Sequence, residues 1–209
     1  MENWKVDSLV LGMLRTNCYL LTNTETGETL IIDPAAGSER IAGKLLEEGR
    51  KPVAVLLTHG HFDHMGAADS VRRRWKIPVY LGKDEEDVAQ DPMKNLSGIW
   101  GSSLTLTADK LLEDGSVLSL AGFAIRVIRT PGHTKGSVCY YLPEQKLLFS
   151  GDTLFRESVG RSDFPTGSGG ALSRSVKLLL AGIPEETRVY PGHEGETDIA
   201  HEKHYNPFA

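Results

Sequence analysis

Seven residues, Thr58-His59-Gly60-His61-Phe62-Asp63-His64, constrain this chain more than any other stretch. They set three imidazoles and a carboxylate within six positions. No packing role calls for that density, because burying such groups together without a partner is strongly unfavourable. A divalent cation neutralises the cluster, and imidazole nitrogen with carboxylate oxygen is a donor set that Zn²⁺ and Fe²⁺ accept. Three of the chain's seven histidines fall here.

The flanking residues place the motif. Val53-Ala54-Val55-Leu56-Leu57 is a continuous apolar run and reads as a buried central strand. The cluster therefore begins where a buried strand ends, with Gly60 allowing the turn. After His64 the spacing of Ala67, Ala68 and Val71 predicts a helix. Two further histidines share this setting. Phe123–Ile128 alternates like a strand and breaks at Thr130-Pro131-Gly132-His133; Arg188-Val189-Tyr190 breaks at Pro191-Gly192-His193. Lys146–Ser150 reads as another strand, ending at Gly151-Asp152-Thr153.

A weak internal repeat runs through these segments. Cys18-Tyr19-Leu20-Leu21, a turn at Gly27, then Leu30-Ile31-Ile32-Asp33 is echoed by Cys139-Tyr140-Tyr141-Leu142, a turn at Pro143–Lys146, then Leu147 to Asp152. A helix-like stretch follows each hairpin, Ile41–Leu46 in one and Leu172–Leu180 in the other. Each then leads to a strand ending in histidine, His59 or His193. Two similar strand–strand–helix–strand halves, sheets inside and helices outside, follow from this.

At 209 residues the chain suits one domain of the larger kind, spanning 1–209. Its net charge of −5, with acids and bases interspersed, argues against nucleic acid as a partner. Met1-Glu2-Asn3-Trp4-Lys5 lacks a basic leader, and no apolar run approaches the ~20 residues of a membrane span, so a cytoplasmic protein is expected. Cys18 and Cys139 read as buried packing residues. His201-Glu202-Lys203-His204 spaces its histidines i, i+3 rather than i, i+4 and reads as a solvated C-terminal helix.

Five histidines and two aspartates, His59, His61, Asp63, His64, His133, Asp152 and His193, exceed what one tetrahedral ion takes. They suit two divalent ions ~3.5–4 Å apart with a shared carboxylate and water. Such ions lower the pKa of bound water from ~15.7 towards ~7, which implies hydrolysis of an activated acyl or phosphoryl bond. Zinc is expected, with iron and manganese also suited to these donors.

Thr-His-x-His-x-Asp-His, a distant Gly-His-Thr, a Gly-Asp-Thr and a final Gly-His resemble the metallo-β-lactamase superfamily over almost the whole chain. The resemblance implies an α/β fold, a four-layer αββα sandwich of two pseudo-repeated halves. It also implies that His59, His61 and His133 hold one metal, that Asp63, His64 and His193 hold the other, that Asp152 bridges, and that Asp63 orients the attacking hydroxide. Thr130–Gly136, Gly151-Asp152-Thr153-Leu154-Phe155 and Asn206-Pro207-Phe208 are most similar to type II glyoxalases. Those hydrolyse S-acylglutathione by attack of a metal-bridging hydroxide on the thioester carbonyl. The short tail after His193 leaves no room for their C-terminal glutathione-binding helical domain, so the resemblance is to short, single-domain glyoxalase-II-like hydrolases acting on a small-molecule thioester.

Arg161 follows the Asp152 strand end and has two readings, a clamp on a substrate carboxylate or an ion pair with Asp163. The irregular segment 84–114 has two readings, a lid that borders the pocket with Trp100 as an apolar wall or a plain surface excursion. A rival comes from Gly160-Arg161-Ser162-Asp163-Phe164, which resembles a stretch of persulfide dioxygenases; there a single iron would be held by His59, His133 and Asp152.

Overall fold

The computed structural model describes residues 2–209; Met1, which opens the N-terminal stretch read above, lies outside the described residues. Six strands build the first sheet in chain order: β1 (Trp4–Leu11), β2 (Thr16–Asn23), β3 (Glu28–Ile32), β4 (Lys51–Leu56), β5 (Val79–Gly82) and β6 (Lys110–Leu112). The second sheet uses β7 (Val117–Leu120), β8 (Phe123–Arg129), β9 (Val138–Leu142), β10 (Leu147–Gly151), β11 (Arg188–Pro191) and β12 (Thr197–Asp198). Its spatial order is the reverse, β12-β11-β10-β9-β8-β7.

Side-chain alternation explains why these strands stack in layers. Tyr19, Leu21, Leu30, Ile32 and Leu56 leave one face of the first sheet and meet Ile125, Tyr140, Leu147 and Phe149 of the second. Leu20, Ile31 and Val55 leave the opposite face and meet Ile41 and Leu45 of α1 (Ser38–Glu47) and Val71 of α3 (Ala68–Trp75). On the far side, Cys139, Tyr141, Leu148 and Val189 pack against Leu172, Val176 and Leu179 of α5 (Gly169–Gly182). The result is the four-layer αββα sandwich expected from the repeat. Each fully buried Leu or Ile contributes about 2 kcal/mol, so three such clusters carry the fold.

The repeat is real at the level of pairing. The hairpin β2–β3 is antiparallel and β3–β4 parallel; the hairpin β9–β10 is antiparallel and β10–β11 parallel. Parallel β10 and β11 end side by side, and Val138 N at the start of β9 donates to Thr58 O just past β4 (2.9 Å), which brings the end of β4 to the same rim of the sandwich. Ligand sites of α/β proteins favour that edge.

Several expectations are corrected. The helix after His64 is two helices, α2 (Phe62–Met65) and α3, because Ala67 N–H turns out of the helix to donate to Pro34 O at 2.8 Å. The segment 84–114 is partly regular, with a 3₁₀ turn at Lys83–Glu85, α4 (Glu86–Ala89) and strand β6. The C-terminal helix α6 (Ile199–Tyr205) is not simply solvated. Ile199 and Glu202 are fully buried, and the Glu202 carboxylate accepts from Glu157 N (2.9 Å) and Asn206 Nδ2 (2.8 Å). Both cysteines are buried and free. No helix among the described residues is long and apolar enough to cross a membrane.

Candidate metal centre

The seven predicted donors converge at that rim. His59 and His61 come from the loop after β4, Asp63 and His64 from α2, His133 from the turn after β8, Asp152 from the end of β10, and His193 from the turn after β11. Three overlapping groups form: His59, His61 and His133; His59, His64 and Asp152; Asp63, His64 and His193. Within each group the donor atoms lie within 4.8 Å of one another.

The details fix the direction in which lone pairs point. His61 Nδ1 and His133 Nε2 are 2.9 Å apart. The Asp152 carboxylate lies 3.4 Å from His133, 3.3 Å from His64 and 3.5 Å from His193, between the two outer groups. Asp63 Oδ2 lies 3.4 Å from His193 Nε2 and accepts from Thr16 Oγ1 (2.9 Å). Partners hold the rings from behind. Asp33 Oδ2 takes His64 Nδ1 (2.9 Å), Thr58 Oγ1 faces His59 Nδ1 (3.1 Å), and the Arg161 carbonyl accepts from His133 Nδ1 (2.7 Å). Such outer contacts orient imidazoles for metal binding.

The residues fit divalent ions on an observation independent of motif. His59 Nε2, His61 Nε2, His64 Nε2 and Asp152 Oδ1 are buried without a hydrogen-bond partner. Buried polar atoms are otherwise satisfied almost everywhere, so a cation is the missing partner. Electrostatics divides the site. Burial, with the neighbouring imidazoles, holds His59 well below its usual range and His61 down to about 3, so both present neutral lone pairs. Burial also opposes charge on His193 and His64. The carboxylates win: Asp152 and Asp63 push His193 up to about 9, and with Asp33 they hold His64 well above its usual range. Asp63 is pushed up by burial yet held at about 2 by His64 and His193. Two carboxylates thus gather positive charge at one end of the centre.

The centre floors a cavity of about 430 Å³. Leu96, Ile99 and Trp100 wall it, so the segment read as a lid does border the pocket. That segment is pinned by Asn95, whose side chain donates to Leu104 O (2.8 Å) and whose carbonyl accepts from Phe62 N (2.9 Å). Arg161 reaches the cavity, but its guanidinium binds Asp163 through Nε (2.9 Å) and Nη2 (2.7 Å), the ion-pair reading of the two left open.

Sequence reasoning missed three residues. Asp33 was noted only as a hairpin end, although its match to Asp152 in the repeat signalled a site role. Glu85 is fully buried and accepts from Gly60 N (2.7 Å) and Gly136 N (2.8 Å), tying together the loops that carry His59, His61 and His133. Asn95 gave no signal in a stretch without periodicity.

An αββα sandwich with a His- and Asp-built binuclear metal site at its strand ends defines a metallo-hydrolase class. Residues 11–193 match the metallo-beta-lactamase superfamily, and the chain belongs to it. It is 40% identical over 200 residues to the probable metallo-hydrolase YqgX of Bacillus subtilis (strain 168), covering 95% of this chain and 94% of that one. The hydroxyacylglutathione hydrolase GloC of Haemophilus influenzae is 29% identical over 206 residues, covering 97% of each. Among crystal structures, BLEG-1 B3 metallo-beta-lactamase superimposes with a TM-score of 0.92 at 40% identity, covering 98% of this chain and 99% of that one. TTHA1623 in a di-iron-bound form gives 0.87 at 37% identity, covering 97% and 100%.

Proposed function

We propose that the protein is a binuclear metal-dependent thioester hydrolase of the glyoxalase-II-like kind, with zinc as its resident metal. The observation that carries this reading is the gathering of seven donors, four of their buried atoms unpartnered, at the floor of an open cavity. His59, His61 and His133 would hold one ion, Asp63, His64 and His193 the other, and Asp152 would lie between them. Two such ions supply a water acidified towards neutral pH and a Lewis acid for the substrate carbonyl.

The chain's own residues do the rest. Asp63 stays ionised and lines the cavity, so its carboxylate accepts a hydrogen bond from water and orients that water towards the carbonyl. Thr16 Oγ1 fixes the carboxylate plane. Phe164, edge-on to His61 at 6.0 Å, and Phe155, edge-on to His193 at 5.9 Å, restrict bulk water. GloC's similarity along the whole chain supports a thioester substrate.

The likeness to BLEG-1 favours a second reading, a β-lactam amide opened by the same apparatus. Mononuclear iron on His59, His133 and Asp152 leaves Asp63, His64 and His193 without a role, and the di-iron form of TTHA1623 speaks for two ions. Assaying the metal-loaded protein against S-lactoylglutathione, simpler acyl thioesters and the chromogenic cephalosporin nitrocefin tests this. Thioester cleavage that is lost on chelation and restored by two zinc per chain is expected. Turnover of nitrocefin alone, or one iron per chain with oxygen uptake, overturns it.

A further inference from the structure

The cavity wall carries information about the part of the substrate that does not react. Beyond the metal-ligating residues it is lined by Leu14, Leu96, Ile99, Trp100, Phe155 and Phe164, with Arg161 the single lysine or arginine among the described lining residues. That cation is already engaged. Asp163 takes the Nε and Nη2 edge of its guanidinium with both oxygens, and the guanidinium lies over the Phe164 ring at 4.2 Å. Glutathione would bring two carboxylates and an ammonium to this wall and meet no unpaired counter-charge there. Meanwhile Ile99 and Trp100 are 61% and 55% exposed, and Phe62 backs Trp100 at 6.2 Å between ring centroids. Large apolar side chains left uncovered around a concave polar floor mark a site for an apolar ligand.

We propose that the substrate is a thioester whose non-reacting group is apolar and uncharged, an alkyl chain or an aryl ring seated against Ile99, Trp100 and Leu14. This rests on the thioester reading above. Water's oxygen bonds to the carbonyl carbon, the carbon–sulfur bond breaks, and the products are a carboxylate and a thiol, one proton going to sulfur and one to solvent. Ile99 and Trp100 are then the residues that set specificity.

Five thioesters separate the possibilities on the metal-loaded wild-type protein: acetyl and hexanoyl groups on glutathione, the same two on N-acetylcysteamine, and acetyl on hexanethiol. Each methylene seated on the wall raises kcat/KM roughly fourfold until the wall is filled. Hexanoyl is therefore expected to exceed acetyl at least tenfold on one thiol if the acyl side lies there. Acetyl-hexanethiol is expected to exceed acetyl-N-acetylcysteamine by as much if the thiol side does. Glutathione should give no advantage over N-acetylcysteamine. An Ile99→Ser/Trp100→Ser double variant should bring the favoured ratio towards one. Should that variant fail to fold, inhibition of the wild type by hexanoate and hexanethiol against acetate and N-acetylcysteamine reads the same preference. Cleavage of all five with no alkyl preference, or a tenfold advantage for glutathione, overturns the apolar assignment and leaves the thioester reading standing. Cleavage of none removes both.

Discussion

Glu85 is the residue on which two ligand loops hang. Its carboxylate has no cation beside it; the backbone N–H groups of Gly60 and Gly136 and the Thr134 side chain hold it. Burial pushes it up to about 7 against those three hydrogen bonds. The sign follows from linkage. The folded protein holds this proton up to about pH 7, whereas the unfolded chain releases it near 4.5. Glu85's contribution to stability is therefore complete below about 4.5 and is lost as pH rises through 7, by up to about 3 kcal/mol. Glu85→Gln removes the titration while keeping the shape. Denaturant unfolding of the metal-free protein from pH 4.5 to 7.5 should show a flatter pH dependence in the variant. Identical slopes would assign the proton elsewhere. The amide also turns a donor towards one glycine N–H, so affinity for the ion at His59, His61 and His133 should drop some 10–100-fold.

At the scale of elements, the site is a set of strand ends brought closer than side chains normally permit. The turn after β11 shows how. A Cβ on Gly192 would lie 2.2 Å from Asp152 Oδ1 and 2.7 Å from His64 Cε1. Gly192→Ala must push either the turn or the Asp152 carboxylate away, at a cost of about 1–3 kcal/mol. Chelator competition should show weakened retention of both ions, since Asp152 faces both groups; retention equal to wild type would mean the turn moves instead. These ends were legible in the sequence for a physical reason. Ala54–Leu57 and Leu147–Phe149 are buried on both faces, so they read as unbroken apolar runs, and a glycine follows close behind each. Pairing of the halves was legible because both hairpins repeat Cys-Tyr. The short strands β5, β6, β7 and β12 carry too few residues for a period to emerge. Glu85 escaped because its partners lie 25 and 51 residues away in sequence, and Asn95 because loop-bracing amides follow no period.

For the whole molecule, the repeat does more than build two sheets. Tyr19 of β2 donates its hydroxyl across the sandwich to Pro191 O at 2.7 Å, two residues before His193. Tyr140 of β9, its counterpart in the second half, donates to Leu57 O at 2.7 Å, two residues before His59. Each half thus fixes the strand end that carries the other half's histidine. Burial holds both phenols above their usual range, so they remain protonated donors at any ordinary pH. The two contacts are not equivalent. Pro191 O also accepts from Asn17 Nδ2 at 3.0 Å, so Tyr19→Phe leaves it a partner. Tyr140→Phe withdraws the hydroxyl from Leu57 O in the buried core and should destabilise by about 1–3 kcal/mol, against about 1 kcal/mol or less for Tyr19→Phe. The metal readout should cross over. Cobalt-loaded Tyr140→Phe should lose its ion first from the group containing His59 and His61, and Tyr19→Phe from the group containing His193, seen as different visible-band changes during chelator titration. If both variants shed the same ion first, the sheets position the centre through their packing alone and the tyrosine pair is only a symmetric accident of the repeat.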